Sequence, residues 1–274
     1  MKEITLFIGH GSRDADGNQE FLDFIEEIRR QKPKEHFEAC FLELTTPTIR
    51  DGFAACVQQD VQRIIVIPVI LLAASHVKLE IPDFIDEARR QYPHLEIVYG
   101  RNIGLHEQMI DLLEDRFYER TSSFASDDIR QTSIVLMGRG SSDPDANGDL
   151  YKIARLLWER TGVLTVEVCF TGITFPRLPE GIHRALSWGT KRIVVVPYFL
   201  FTGVLIKRMQ GILQELQVEN PTIPMLMAPY FGEHNRLVDI VLDRREEAQR
   251  GQAFMNCDLC KYRKMRTYEE EEMR

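Results

Sequence analysis

The sequence predicts an α/β protein made of two tandem copies of one domain, each a parallel sheet flanked by helices. Two observations carry this reading. The first is an internal repeat. EACFLELTTPTI at 38–49 lines up with EVCFTGITFPRL at 167–178, so Glu38, Cys40, Phe41, Thr45 and Pro47 recur as Glu167, Cys169, Phe170, Thr174 and Pro176, a spacing of 129. The same spacing carries GHGS (9–12) onto GRGS (138–141) and Pro68 onto Pro197. Farther along it becomes 128, with Gly104, His106, Asp111, Asp115 and Arg116 recurring as Gly232, His234, Asp239, Asp243 and Arg244. One register held across most of each half means duplication of a unit of about 120 residues, near the common domain size. The second observation is that each half alternates strand-like and helix-like patterns, which gives a parallel sheet covered on both faces.

Residues 4–9 are apolar, short and end in glycine, as a buried parallel strand does. Phe21, Leu22, Phe24, Ile25 and Ile28 form a helical stripe. Strand-like runs follow near 36–43, 63–71 and 95–99, with helical stripes near 47–58, 80–91 and 104–118. The second half repeats the pattern, with strands near 133–138, 164–170, 191–199 and 223–228. In SSDPD (141–145) a Ser or Asp N-cap followed by Pro144 marks a helix start. The boundaries expected are a first domain over 1–120, a polar linker over 121–131, a second copy over 132–248 and a tail over 249–274.

Bulk composition narrows the function. A hydrophobic fraction of 44% and a charged fraction of 28% are ordinary for a globular chain. The net charge of −8, without a long basic stretch, argues against a nucleic-acid partner, because neutralising phosphates needs clustered Lys and Arg. No apolar run reaches the roughly 18 residues of a membrane span. The opening MKEITLFIGHGSRD runs from a short apolar stretch straight into polar residues, unlike a signal peptide, so the expected compartment is the cytoplasm. Five cysteines are too few for a disulfide scaffold at this length; Cys40, Cys56 and Cys169 read as small core residues.

In open parallel sheets, ligands bind beyond the carboxyl ends of the strands. There the first strand runs into Gly9-His10-Gly11-Ser12-Arg13, the second ends near Glu43, and the third is followed by Ala74-Ser75-His76-Val77-Lys78. Two imidazoles and a carboxylate suit a borderline divalent ion. A histidine after a strand is usually a polar loop residue, and the glycines around His10 are also explained by a tight turn. The repeat favours chemistry. At the shared spacing His10 becomes Arg139, Glu43 becomes Gly172 and His76 becomes Leu205, while the surrounding pattern is kept. Purely structural groups have no reason to vanish as a set.

GHGSRD after the first strand, FLEL-TPTI and VIPVILLAASHVKLEIP resemble the class II tetrapyrrole chelatases, in particular the long two-domain sirohydrochlorin chelatases of the cobalamin and sirohaem pathways. The likeness spans about residues 1–245. It implies two chelatase-like α/β domains with one active half, insertion of Co²⁺ or Fe²⁺ into sirohydrochlorin by a lyase of the cobaltochelatase or ferrochelatase type, and His10 and His76 as the catalytic, metal-binding pair. Glu43 is expected to orient a histidine or take a proton. A substrate rich in carboxylates calls for cations, and Arg13, Lys78 and Arg139 are the candidates. Cobalt is slightly favoured over iron by the tail. Met255-Asn256-Cys257-Asp258-Leu259-Cys260 resembles the C-terminal iron–sulfur motif of cobalt-inserting long chelatases, without their histidine-rich stretch. Two thiolates do not close a site within one chain, so a cluster on Cys257 and Cys260 would need further ligands, as in a homodimer that shares it. Free thiols before the acidic run Glu269–Glu272 are the alternative. Two other functions stay open: a non-catalytic two-lobed binding protein for tetrapyrrole or metal, and phosphoryl transfer through a histidine after the first strand. For the latter, Gly9 stands where histidine phosphatases place an arginine.

Overall fold

A computed structural model describes residues 2–232 and 234–253. Cys257 and Cys260 lie outside them. The chain runs β1 (Glu3–Gly9), α1 (Ala15–Gln31), β2 (Phe37–Phe41), α2 (Ile49–Val57), β3 (Arg63–Pro68), a π-helical turn (His76–Glu80), α3 (Ile81–Gln91), β4 (Glu96–Tyr99), α4 (Glu107–Thr121) and α5 (Ser126–Arg130). It continues with β5 (Thr132–Gly138), α6 (Pro144–Thr161), β6 (Thr165–Phe170), α7 (Leu178–Ser187), β7 (Arg192–Pro197), α8 (Val204–Glu219), β8 (Met225–Met227) and α9 (Asn235–Gln249). The strands expected from the pattern are all present; β1 and β5 begin one residue earlier than read, and the other six are shorter. The helix read from residue 80 begins four residues earlier, in the π-turn, and residues 121–131 hold the short helix α5.

Two four-stranded sheets form, ordered β2-β1-β3-β4 and β6-β5-β7-β8, with every pairing parallel. The central strands explain their own sequences. Ile4, Leu6, Phe7 and Ile8 of β1, and Ile64, Ile65, Val66 and Ile67 of β3, are all buried, because helices cover both faces. Burial of each such side chain contributes on the order of 1.5–3 kcal/mol. Two helix starts show their local chemistry. Thr48 caps α2 in a reciprocal box with Asp51, and Asp143, followed by Pro144, caps α6 by accepting from the Asp145 N–H.

The chain groups into two compact units. One is built on Ile25–Gly104, with β1 and the part of α9 from Val241 on; the other comprises Ser12–Phe24 and Leu105–Ile240. In the first unit, buried Arg244 donates from Nε and Nη2 to the Ile103 carbonyl at 2.9 and 2.7 Å, and Arg245 donates to Thr5 Oγ1 at 2.8 Å. Burial, with Arg101 nearby, lowers the Arg244 pKa to about 10. In the second unit, Arg116 donates to the Phe231 carbonyl. Within it, Ser12 and Asn18 exchange two hydrogen bonds, as Ser141 and Asn147 do, so the loop after the first strand of each repeat is tied in the same way.

Cys40, Cys56 and Cys169 are buried and free, and burial pushes their thiols up. Cys40 and Cys169 face glycines. A Cβ on Gly52 would lie 2.9 Å from Cys40 Sγ, and one on Gly181 would lie 2.8 Å from Cys169 Cβ. The helix after the second strand thus packs at backbone distance in both repeats. Gly52→Ala should therefore destabilise by about 1–3 kcal/mol through overpacking. Gly211→Ala, on the exposed face of α8 where a Cβ meets nothing within 4 Å, should stabilise by up to about 1 kcal/mol. Urea unfolding of the two variants checks the opposite signs.

Candidate metal centre

The strand order builds the site. β1 lies between β2 and β3, so the residues following these three strands stand side by side at one sheet edge. His10 follows β1 directly, Glu43 lies two residues past β2, and His76 opens the π-turn after β3. One ligand atom from each lies within 4.8 Å of the other two. Two atoms each about 2.1 Å from a shared ion stand at most about 4.2 Å apart, so a small side-chain shift closes the three on a cation.

Backbone geometry fixes His10 and Glu43 together. The Leu42 N–H donates to the Gly9 carbonyl at 2.9 Å, and the Glu43 N–H donates to the His10 carbonyl at 3.1 Å, carrying the β1–β2 pairing past both strand ends. Gly11 holds φ +89°, and a Cβ there would fall 1.9 Å from the Glu43 carbonyl oxygen. The glycine expected from a tight turn is thus required twice, by its conformation and by the approach of the neighbouring loop.

Hydrogen bonding orients the first ring. His10 Nδ1 lies 2.9 Å from the Gly11 carbonyl oxygen, which can only accept. Nδ1 therefore carries the proton and Nε2 the lone pair, the tautomer a metal ligand needs. Glu43 Oε1 stands 3.7 Å from the same Nδ1. The His76 ring meets the His10 ring edge-on, with centroids 4.8 Å apart. Both imidazoles are about a quarter exposed, His10 at 25% and His76 at 23%, and Glu43 is 42% exposed. All three groups are thus partly buried and still reachable from solvent.

The second repeat keeps the frame without the metal-competent groups. Arg139 stands exposed beyond β5, and Gly172 donates to the Arg139 carbonyl at 2.8 Å just as Glu43 does to that of His10. A Cβ on Gly172 would sit 2.6 Å from that carbonyl oxygen. Arg13 is exposed, and Lys78, on the π-turn, is half-buried. Only His10, Glu43 and His76 form a metal-competent cluster among the described residues. Sequence reasoning missed Glu80. Its Oε1 lies 2.9 Å from His76 Nδ1, and the signal available was its place four residues after the histidine.

The family model of CbiX matches residues 4–120 and again 133–248. The chain belongs to the CbiX family. It is 44% identical over 264 residues to a sirohydrochlorin cobaltochelatase of Priestia megaterium, covering 96% of this chain and 85% of that protein. To a sirohydrochlorin ferrochelatase of the same organism it is 36% identical over 239 residues, covering 87% and 88%. Among solved structures, SirB from Bacillus subtilis with Fe³⁺ superposes with a TM-score of 0.81 at 35% identity, covering 92% of this chain and 99% of that one. The expected two-copy α/β fold is the CbiX fold.

In this CbiX chain the Gly11 turn is open to a direct test. Gly11→Ala must place a side chain at positive φ against the Glu43 carbonyl. It should cost about 1–3 kcal/mol and move His10 away from Glu43. Chemical unfolding together with a Co²⁺ titration checks both effects; a variant as stable as wild type with unchanged Co²⁺ affinity contradicts the assigned geometry.

Proposed function

We propose that this chain is a sirohydrochlorin chelatase that inserts a divalent metal ion, Co²⁺ in preference to Fe²⁺, through His10, Glu43 and His76. The observation that carries the site assignment is the convergence of these three groups at the carboxyl edge of the first sheet, in a chain whose CbiX relatives bear that activity in their names. The higher identity to the cobaltochelatase favours cobalt, and the resemblance of the tail to cobalt-inserting forms points the same way.

The reaction sets the roles. Two pyrrole N–H protons leave as M²⁺ enters, so the site must present the ion and accept protons. Neutral imidazole, with an ordinary pKa near 6.5, holds the ion at working pH and releases it to a better chelator. His10 offers Nε2 because Nδ1 is committed to the Gly11 carbonyl. Glu43, the most exposed of the three, is assigned the proton-accepting role. The macrocycle would approach the cluster where its side chains reach solvent. Arg13, Lys78 and Arg139 are assigned to its carboxylates, on the ground that guanidinium and ammonium groups pair with carboxylates by charge-assisted hydrogen bonds.

The finer readings of the tail belong to this proposal. A cluster on Cys257 and Cys260, its homodimeric sharing and a cytoplasmic location rest on the sequence pattern alone. A purely metal- or tetrapyrrole-binding role is separated from catalysis by turnover.

Sirohydrochlorin with either metal is the decisive assay. Wild type should form the metallated product with Co²⁺ faster than with Fe²⁺, and His10→Ala and His76→Ala should each lose on the order of a hundredfold or more. Full activity in the double variant ends this reading. Arg139→Ala should raise the tetrapyrrole KM by roughly tenfold to a hundredfold with the metal dependence unchanged. A wild-type KM in a less stable protein would make Arg139 structural.

A further inference from the structure

The duplication supplies an internal control for the segment that carries His76. After β3 the chain enters the π-turn His76–Glu80 and continues as α3. After β7 the equivalent run is a single regular helix, α8. The spacing of 129 places His76 on Leu205 and Val77 on Ile206, while Lys78 falls on Lys207 and is retained; past the π-turn the buried Ile81, Ile85 and Ala88 match Met209, Leu213 and Leu216 at 128, so Arg208 stands where Glu80 does. The histidine and the carboxylate four residues on are thus absent together, and the cation between them is not. Single π-turns within helices are rare and gather at functional sites, because the widened turn re-aims side chains.

Geometry says what the carboxylate does. His76 Nδ1 is wholly buried and has no aligned hydrogen bond, yet Glu80 Oε1 lies 2.9 Å away. The contact is within reach of a hydrogen bond that a small rotation of the ring aligns. With Nδ1 turned to Glu80, Nε2 is the nitrogen left to meet an ion. Glu80 is 43% exposed, and an ion pair as exposed as this adds little to folding stability. Stability therefore gives no reason for the carboxylate to come and go with the histidine.

We infer that Glu80 is a positioning residue for His76: it accepts the Nδ1 proton in a hydrogen bond, fixes the tautomer and directs Nε2 toward His10 and Glu43. This rests on the assignment of His76 as a metal-handling group and extends it. It parallels the way ligating histidines are commonly oriented by a carboxylate on the opposite ring nitrogen.

The test is Co²⁺ binding to the full chain, read by calorimetry and by the visible spectrum of the bound ion, with Glu80→Met and Glu80→Gln. Methionine keeps the length of the side chain and removes the carboxylate. Glu80→Met should weaken Co²⁺ binding about tenfold to a hundredfold and alter the spectrum, with the tetrapyrrole KM unchanged. Glu80→Gln keeps an acceptor oxygen and should recover a clear part of the loss. Wild-type Co²⁺ affinity in Glu80→Met overturns the inference. So does a glutamine variant as weak as the methionine one, because that assigns the loss to charge alone. Should Glu80→Met fail to fold by circular dichroism, Glu80→Asp decides: its retracted carboxylate must bind Co²⁺ several-fold more weakly, and equal binding overturns the role. His76→Ala separates the two levels of the argument. If it binds Co²⁺ like wild type, the metal site itself is wrong; if it loses binding while the Glu80 variants do not, only the positioning role falls.

Discussion

The site depends on the parallel pairing of β1 with β2 on one side and β3 on the other. Strand order, not sequence proximity, gathers His10, Glu43 and His76, which are 33 residues apart at each step along the chain. Because β1 is followed by crossovers that lead to both of its neighbours, the loops leaving the three strands open at one edge, where an α/β sheet leaves room for a ligand. The buried aliphatic strands are therefore part of the site. Ile4, Leu6 and Ile8 alternate with Thr5 and Phe7 and hold β1 in register with Ile64–Ile67, and that register sets where His10 emerges relative to His76.

The two repeats share one frame and differ at a few positions. Both use a glycine at positive φ after the first strand, Gly11 and Gly140. Both tie the following loop with a Ser–Asn pair and pack a glycine of the helix after the second strand against a buried cysteine. The differences sit at the sheet edge. Where the first repeat has imidazoles, a glutamate and a π-turn, the second has Arg139, Gly172, Leu205 and a regular helix. A guanidinium keeps its proton at working pH and so serves as neither base nor metal ligand. The second sheet can offer charge but not the chemistry assigned to the first. Duplication permits this division, because one copy can lose its ligands without touching the packing that folds it.

By itself the sequence determined the duplicated strand–helix alternation, the buried strands, the cap at Asp143 and the three metal-competent residues. Each is written in a local period, a local motif or a direct comparison of the two halves. The likeness to the CbiX family was legible for the same reason, since its motifs are contiguous. Tertiary structure decided the rest. The Gly11 turn could be guessed from sequence, but its close approach to Glu43 depends on a neighbouring strand. The tautomer of His10 depends on a carbonyl whose direction only the folded loop sets. The last part of α9 groups with the first unit, where Arg244 and Arg245 reach Ile103 and Thr5, residues more than a hundred positions away. Glu80 lies four residues from a residue already singled out, yet nothing in the sequence marked it, because an acid at that spacing on a helix is ordinary. The π-turn and the 2.9 Å approach to a buried ring nitrogen set it apart, and both arise only when the helix packs on its sheet.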